Sequence, residues 1–188
     1  RSQTNARGQN TTYTYDKLSR AVTRVEPEGT TTWTWGTSAS SRNIGNLASV
    51  SAPGFQESYQ YDSLGRPSAV TTTIAGTTLV ARQAFDAVSG APHTLTFPAS
   101  SGPTPLRVRH HFDRGRLARI SDADTSSTYW QLNSVNALGQ VVDETLGNGV
   151  RVASAYDSVT GRLGTRTAGI GGGTSHQNLA FAWDAVGN

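Results

Sequence analysis

The sequence contains no cysteine and no methionine, and charged residues make up only 15% of its 188 positions. Without cysteine there are neither disulfides nor thiolate metal sites. The periodicity of amphipathic helices is missing, which excludes the strand–helix units of a parallel sheet. No apolar run is long enough for a signal peptide or a membrane span. Because Arg1 comes first and Met is absent, we expect a fragment of a larger chain.

The composition favours an all-β fold with a thin core. Glycine occurs 20 times, and threonine forms runs at 30–32 and 71–73. Threonine is β-branched and fits the pleated surface of a strand. Hydrophobic residues make up 35% of the chain. We expect them to cover one face of a sheet rather than to fill a globular interior.

A short motif recurs along nearly the whole chain: an aromatic or apolar strand end, then Asp, then a turn that ends in Gly and Arg. Residues 61–66, Tyr-Asp-Ser-Leu-Gly-Arg, are the clearest of eight copies. Such a repeat determines the architecture before any single residue does. The other copies are at 15–20, 35–36, 85–90, 112–117, 136–141, 156–163 and 183–188. The predicted turn residues are Asp16, Arg20, Asp62, Gly65, Arg66, Asp86, Gly90, Asp113, Gly115, Arg116, Gly139, Asp157, Gly161, Arg162, Asp184 and Gly187.

The copies follow one another at intervals of 20 to 27 residues. This length holds two strands of about 5–6 residues each, with two short connections. It leaves no room for a crossover helix, and neighbouring strands are therefore predicted to be antiparallel. The sequence thus predicts a single array of antiparallel β-hairpin repeats over 1–188, with a truncated last copy.

Each residue type in the motif has a physical reason to be there. An Asp carboxylate accepts hydrogen bonds from backbone N–H groups two residues on, which opens a turn. Gly three residues later suits a backbone with positive φ. The Arg that follows can reach back to the Asp or lie over the aromatic ring. Three copies depart from the pattern, since Ser19 replaces the Gly and Gly36 and Asn136 replace the Asp.

Over positions 11–188, the recurring Tyr-Asp-x-x-Gly-Arg motif resembles the YD repeat, also called the RHS repeat. This family includes bacterial Rhs polymorphic toxins, the C component of insecticidal toxin complexes, wall-associated proteins and the YD shell of animal teneurins. The resemblance implies a long curved or spiral sheet that forms part of a hollow shell. Such shells enclose a C-terminal toxin or effector, and they are exported to the cell surface or secreted as part of a larger protein.

The resemblance also implies the partners of this chain, which are the remainder of its own shell and the enclosed toxin or effector domain. Shells of this family release their cargo with a C-terminal aspartyl autoprotease. We find neither that motif nor a toxin domain here, and the chain ends within a repeat. The expected function is therefore that of a structural shell segment without cargo.

No group of residues predicts an enzyme, a cofactor or a metal. The histidines are His93, His110, His111 and His176, and none has the spacing of a metal-binding motif. His110 and His111 are adjacent and would point to opposite faces of a strand. One acidic residue per repeat supplies too few oxygen ligands for calcium. We expect no catalytic residue, although a spatial triad cannot be read from a sequence.

An alternative function is an extracellular module that binds carbohydrate or another protein. Its ligand face would contain Trp33 and Trp35, or Arg107, Arg109 and His111, which share one face of a predicted strand and suit a small anion. Stacking of the tryptophans on neighbouring strands is the favoured interpretation. The net charge is +3, but the arginines are scattered and often accompanied by Asp, and no nucleic-acid partner is predicted.

The ends of the predicted sheet suggest self-association. The terminal strands at 12–15 and 179–183 carry aromatic residues and almost no charge. They lack the Lys and Pro that commonly protect an edge strand from pairing with another chain. We therefore expect the chain to pair through its sheet edges, either with another copy or with adjoining shell sequence.

Overall fold

The computed structural model describes residues 1–99 and 104–188, and this part of the chain contains strands and turns but no helix. The prediction of an all-β fold of antiparallel hairpins is confirmed. The chain divides into two compact units, of which the first comprises Arg1–Ala84 with Leu95–Leu106 and the second Phe85–Thr94 with Arg107–Asn188.

The first unit is a meander in which each strand is hydrogen-bonded to its sequence neighbours, and every pair is antiparallel. The last residue of its final strand belongs to the second unit. Its strands are β1 (Ser2–Thr4), β2 (Asn10–Tyr15), β3 (Ala21–Glu26), β4 (Gly29–Trp35), β5 (Leu47–Ala52), β6 (Phe55–Tyr61), β7 (Pro67–Ile74) and β8 (Thr77–Phe85).

The second unit is built in the same way, and all its strands after the first are antiparallel neighbours in chain order. Its first strand, β9 (Pro92–Thr96), has its last two residues in the first unit. The other strands are β10 (Arg107–Asp113), β11 (Arg116–Asp122), β12 (Thr128–Val135), β13 (Val141–Leu146), β14 (Val150–Tyr156), β15 (Leu163–Ile170) and β16 (Gln177–Ala180).

In each unit, the predicted repeat turns all lie at the same ends of the strands. Every such turn follows an even-numbered strand, because each copy contributes two strands and successive turns are therefore two strands apart. The connections at the opposite ends are mostly short, such as Pro53-Gly54 and Ala75-Gly76, where Gly54, Ala75 and Gly76 have positive φ. The repeat thus consists of two strands, one repeat turn and one return connection.

A β-bulge accompanies the repeat turn in six copies. In the clearest copy, Gln60 pairs with Ala69 but Tyr61 pairs with Pro67, which leaves Ser68 as the extra residue. A bulge adds local twist and redirects the side chains beside it. Here it changes the direction in which the aromatic or apolar side chain before the turn points. The equivalent extra residues are Val22, Ala48, Ala118, Val142 and Gly164.

The core is thin, as the hydrophobic content indicates. In the described part of the second unit, the buried apolar side chains are Val150, Val152 and Ala168, with Leu146 packed against them. In the described part of the first unit, Ala69 alone is buried to this degree. Most of the stabilisation must therefore come from strand pairing and from side chains that tie neighbouring strands together.

The copy at 112–117 has a shorter turn than the other copies. Asp113 pairs directly with Arg116 across a two-residue hairpin. Both residues of that hairpin, Arg114 and Gly115, have positive φ, as a tight hairpin connection requires.

The prediction that the strand at 12–15 is the terminal strand of the sheet is wrong. This segment belongs to β2, and β1 pairs with its first half through Ser2↔Thr12. The Arg1 backbone also exchanges hydrogen bonds with Tyr13. At the other end, β16 stops at Ala180, although the Phe181 N–H still donates to the Gly164 carbonyl. Self-association through these edges stays a prediction.

Candidate functional site

The repeat turns form the most regular feature of the molecule, and Asp62 shows how each one is built. One Asp62 carboxylate oxygen, Oδ1, accepts the N–H of Leu64 and the N–H of Arg66, both at 2.9 Å. The backbone closes the loop, since Asp62 N–H donates to the Arg66 carbonyl and Gly65 N–H donates to the Asp62 carbonyl. Gly65 has φ of 75°, which glycine adopts without strain.

Other copies repeat this scheme in two lengths. The five-residue form recurs at 16–20, 136–140 and 184–188. A six-residue form occurs at 86–91 and 157–162, where a hydroxyl joins the network. Thr160 shows this: its N–H and its hydroxyl both donate to Asp157 Oδ1, at 2.7 and 2.8 Å. The second copy instead has a long connection over 36–46, closed by Gly36 N–H donating to the Asn46 carbonyl.

The first and fifth residues of the short turns are chemically matched. Asp16 accepts two bonds from the Arg20 guanidinium, at 2.6 and 2.7 Å, and Asp62 does the same with Arg66. Where Asn136 replaces the aspartate, the partner is Gln140, and Asn136 Nδ2 donates to Gln140 Oε1 at 2.8 Å. A carboxylate is paired with a guanidinium and an amide with an amide, so the same geometry survives the loss of charge.

These bonds lower the pKa of the turn aspartates. The Arg20 side chain is the main cause for Asp16, and the Arg66 backbone N–H is the main cause for Asp62. Backbone N–H donors are likewise the leading cause at Asp86, Asp157 and Asp184. Since hydrogen bonds to a carboxylate favour its charged form, the pKa of each group lies below the ordinary value of 3.8.

Three repeat turns are also tied to the next turn along the chain. Arg20 donates to the Gly45 carbonyl at 3.3 Å, and Gln140 donates to the Gly161 carbonyl at 2.7 Å. Arg162 does not bond its own Asp157; its guanidinium reaches forward to the Asp184 carbonyl at 2.9 Å. The side chain that ends one turn therefore satisfies a carbonyl of the following turn.

The aromatic residue before the turn makes a second tie, in the backward direction. Trp35 donates its indole N–H to the Ala21 carbonyl at 2.8 Å, and Tyr61 donates its hydroxyl to the Leu47 carbonyl at 2.6 Å. Tyr156 and Trp183 make the same bond to Val141 and Leu163. The acceptor is always the first residue of the strand that follows the preceding turn. Phe85 and Phe112 stand at this position too, but phenylalanine has no polar hydrogen to donate.

The tips of the repeat turns are apolar and exposed. In six copies the side chain two residues after the turn Asp or Asn is Leu or Val, and between 70% and 97% of its surface is accessible. The long connection of the second copy exposes Ile44, at 65%, and the two-residue hairpin at 114–115 has no such residue. These tips are Leu18, Ile44, Leu64, Val88, Leu138, Val159 and Val186.

Three residues of the candidate ligand face already have a charged group beside them. The Trp35 ring has the Arg20 guanidinium 4.7 Å from its centroid, and Arg24 lies 5.9 Å from the Trp33 centroid. Arg107 forms an ion pair with Asp124. Both tryptophans therefore already have a cation over one face, and Arg107 already has an anion.

His111 lies beside the most buried polar side chain of the described residues. Its Nε2 is 2.9 Å from the Ser121 hydroxyl, and Ser121 is only 1% exposed. An Arg119 guanidinium nitrogen is 3.2 Å from the same ring nitrogen. Burial first, and then the charge of Arg119, lowers the pKa of His111 below 6.5. A histidine that activates a serine needs an anionic group to orient its ring, and the serine hydroxyl has to be accessible. Among the described residues, the pair of His111 and Ser121 has neither feature.

Two turns of the same construction were missed in the sequence. Asp122 accepts the N–H groups of Asp124 and Thr125 and the Tyr129 hydroxyl. Together these bonds, with the Thr125 N–H as the largest cause, lower the pKa of Asp122 to about 2. Asn5 accepts the N–H of Arg7 and of Gln9. Both follow odd-numbered strands, at the ends opposite to the repeat turns. The spacing Asn5-x-x-Gly8-Gln9 could have been recognised, since it matches 136–140.

No family model matches the sequence, and no curated protein matches it either. Among solved structures, the chain is similar to the crystal structure of TcdB2-TccC3-Cdc42, with a TM-score of 0.39 and 15% identity over 100% of this chain and 13% of that one. The crystal structure of TcdB2-TccC3 without hypervariable C-terminal region gives a TM-score of 0.36 and 13% identity, over 100% and 14%. The chain thus spans about one seventh of the length of these structures.

No group of three or more His, Asp or Glu side chains within 1–99 and 104–188 is placed to hold a metal ion. No helix that is long and apolar enough to cross a membrane occurs in the same part of the chain.

The turn at 62–66 allows a direct test of this construction. We expect Asp62→Ala to lower the thermal midpoint by about 5 °C, because two backbone N–H groups and the Arg66 guanidinium lose their acceptor. Gly65→Val should cost about 1–3 kcal/mol, since a β-branched residue resists a φ of 75°. Scanning calorimetry of both variants measures these losses.

Ser63→Ala is the matched control for this series. Ser63 is exposed and lies between the two substituted residues. Its replacement should leave the midpoint unchanged within about 1 °C. Equal midpoints for all three variants would refute the role assigned to the Asp62 carboxylate and to Gly65.

Proposed function

We propose that this chain is a wall segment of a YD-repeat shell that encloses a C-terminal toxin or effector, in a bacterial polymorphic toxin or surface protein. The observation that supports it best is the double set of ties between successive repeats. The Arg162 guanidinium donates forward to a carbonyl of the next turn, and the Trp183 indole N–H donates back to the carbonyl of Leu163, the first residue of β15. Such ties let a repeat be stabilised by its neighbours rather than by an interior of its own.

A wall needs a different distribution of energy from an enzyme. Few apolar side chains are buried in either unit, so the sheet cannot rely on a globular core. Each bond from a turn side chain to a neighbouring carbonyl satisfies a backbone acceptor without covering the faces of the sheet. The faces thus stay available for contents on one side and solvent on the other. In this proposal the chain has no catalytic residue and no cofactor.

The exposed tips fit the same function. If the sheet is wound into a shell, each winding forms a strip whose repeat turns lie beside the next strip. Apolar tips at these turns would then be removed from water. Burying a Leu or Val side chain contributes about 1.5–3 kcal/mol. Leu64 and Val159, which are 73% and 91% exposed in this chain, gain little while they face solvent. The proposed neighbours are the remaining strips of the same shell, and export as part of a larger protein follows from that role.

The full product of the gene provides the test. We expect the segment encoded after the repeats to resist trypsin in the intact protein and to be digested once the shell is opened with urea. Val159→Asp should admit the protease, because it places a charge where strips meet. Ser158→Asp is the matched control, since it adds the same charge one residue away at an exposed polar position.

Two outcomes would contradict this proposal. One is a following segment that is digested in the intact protein as fast as it is alone. The other is a gene product in which no segment follows the repeats. Equal protease sensitivity of Val159→Asp and Ser158→Asp would contradict the role proposed for the tips. Encapsulation itself is tested by the digestion of the wild-type protein.

The binding-module alternative gains no support from the tryptophans. A sugar that stacked on Trp35 on the side of Arg20 would have to displace a guanidinium that also pairs with Asp16. The Trp35 indole N–H is also committed, to the Ala21 carbonyl. Both features favour a structural role for this ring.

A further inference from the structure

The second unit contains a cavity that the wall function does not use. Its volume is about 670 Å³, and it lies between the turn that follows β8 and the end of β10. Pockets for small organic ligands commonly have volumes of about 300–1,000 Å³. The polar side chains that line it include Asp86, Ser89, His93, Arg109, His110 and Arg114.

The positive charge in this cavity exceeds the negative charge, since it is lined by two arginines and one carboxylate. Among the described residues, neither Arg109 nor Arg114 has a hydrogen bond or an ion pair with another side chain. Arg107, two residues before Arg109 on the same strand, is paired with Asp124. Asp86 is the one carboxylate among the described lining residues, and its Oδ1 already accepts the N–H groups of Val88 and Ser89 and the Ser89 hydroxyl.

One histidine of the cavity can add a donor without adding a competing anion. His93 Nδ1 is 2.9 Å from the Thr94 hydroxyl, which leaves its other ring nitrogen for a ligand. The lowered pKa of His111 agrees with a cationic surrounding, since Arg119 and Arg109 both contribute to it after burial.

We propose that this cavity binds a small molecule through a phosphate group held by the guanidinium groups of Arg109 and Arg114, with His93 as a further donor. Guanidinium groups match the oxygens of phosphate with paired N–H donors. The cavity is far larger than one phosphate ion, and the phosphate is therefore an ester on a larger polar body, as in a sugar phosphate. The proposal is independent of the wall function.

Calorimetric titration of the 188-residue chain at pH 7 and low salt tests it, with inorganic phosphate and ribose 5-phosphate as the two probes. We expect saturable binding of both, at least tenfold tighter for the ester. Arg109→Gln and Arg114→Gln should each weaken binding at least tenfold. Arg107→Gln is the matched control, because it removes the same charge from the same strand outside the cavity, and it should change affinity less than twofold.

Circular dichroism and thermal midpoints show whether each variant is folded. Absence of saturable binding by the wild-type chain would overturn the proposal. So would an equal loss of affinity in all three variants, since it would show attraction to net charge rather than to a site. Phosphate bound as tightly as the ester would refute the part that assigns the rest of the cavity to an organic body.

Discussion

Replacement of Gly147 by alanine is expected to lower the free energy of unfolding by about 1–3 kcal/mol or more. A Cβ atom on Gly147 would lie 2.3 Å from the Thr128 carbonyl oxygen and 3.0 Å from Tyr129 Cα. Both atoms belong to the backbone of β12, and the Gly147 N–H holds that strand through a 2.8 Å bond to the Tyr129 carbonyl. A methyl group can be accommodated only if the two strands separate. Urea unfolding followed by tryptophan fluorescence measures the loss.

Gly164→Ala is the matched control, in the same unit and again at a glycine without positive φ. A Cβ atom there would be 3.5 Å from the Ala155 carbonyl oxygen, an ordinary contact. Gly164 is also the extra residue of a bulge, and Ala48 and Ala118 stand at the same position in other copies. We expect a change within about 0.5 kcal/mol. Similar losses for the two variants would show that close approach to β12 is not what requires glycine at Gly147.

The repeat turns were predictable because their chemistry is local. In 62–66, the Asp62 carboxylate, Gly65 and Arg66 interact within five residues, so the motif alone determines the loop. The antiparallel order follows from the repeat length, which excludes a crossover helix. Sequence reasoning succeeds where the interacting groups are close along the chain and each residue type has one evident purpose.

The ties between repeats could not be predicted in the same way. The bond from Tyr61 to the Leu47 carbonyl depends on the register of two strand pairs and on the bulge that redirects the tyrosine. An alternating pattern such as Tyr59-x-Tyr61 predicts which face a side chain takes, but it does not show where one strand contains an extra residue. Bulges therefore have to be observed.

Asp113 and Asp122 show how the turns vary from the motif. Gly115 follows Asp113 by two residues rather than three, and this shorter spacing fits a two-residue hairpin. Asp122 opens a true turn, but Ser126, at φ of 64°, stands where the motif has Gly. The carboxylate and the spacing determined the turn, whereas the glycine only lowered its strain.

Acidification is expected to destabilise the chain steeply below about pH 4. The carboxyl groups of seven aspartates have pKa values lowered by hydrogen bonds to N–H groups, arginines or hydroxyls. In an unfolded chain these groups titrate near 3.8. A group with a lower pKa in the folded state stabilises the fold above its unfolded pKa, and this contribution is lost as the pH falls through the folded pKa. The seven are Asp16, Asp62, Asp86, Asp122, Asp143, Asp157 and Asp184.

We therefore expect the thermal midpoint to change little between about pH 7 and pH 5, and then to fall through the range from about pH 4 to pH 2. The lowered pKa of His111 acts in the same direction, because the unfolded chain binds this proton first as the pH drops below 6.5. Because His111 is a single group, it makes the thermal midpoint fall only slightly over this pH range. Calorimetry at intervals of half a pH unit, at constant ionic strength, measures the profile.

Asp62→Asn separates the turn bonds from general charge repulsion, which also rises in acid because 16 basic side chains remain charged. Asn136 shows that an amide oxygen can accept the same two backbone N–H groups. The variant should keep the turn, lose some stability near pH 7 through the Arg66 pair, and show a shallower fall between pH 4 and pH 2. Added salt screens repulsion between exposed charges but leaves short hydrogen bonds in place. A fall that vanishes in high salt, with the same slope in wild type and Asp62→Asn, would mean that repulsion and not the turn carboxylates controls the acid transition.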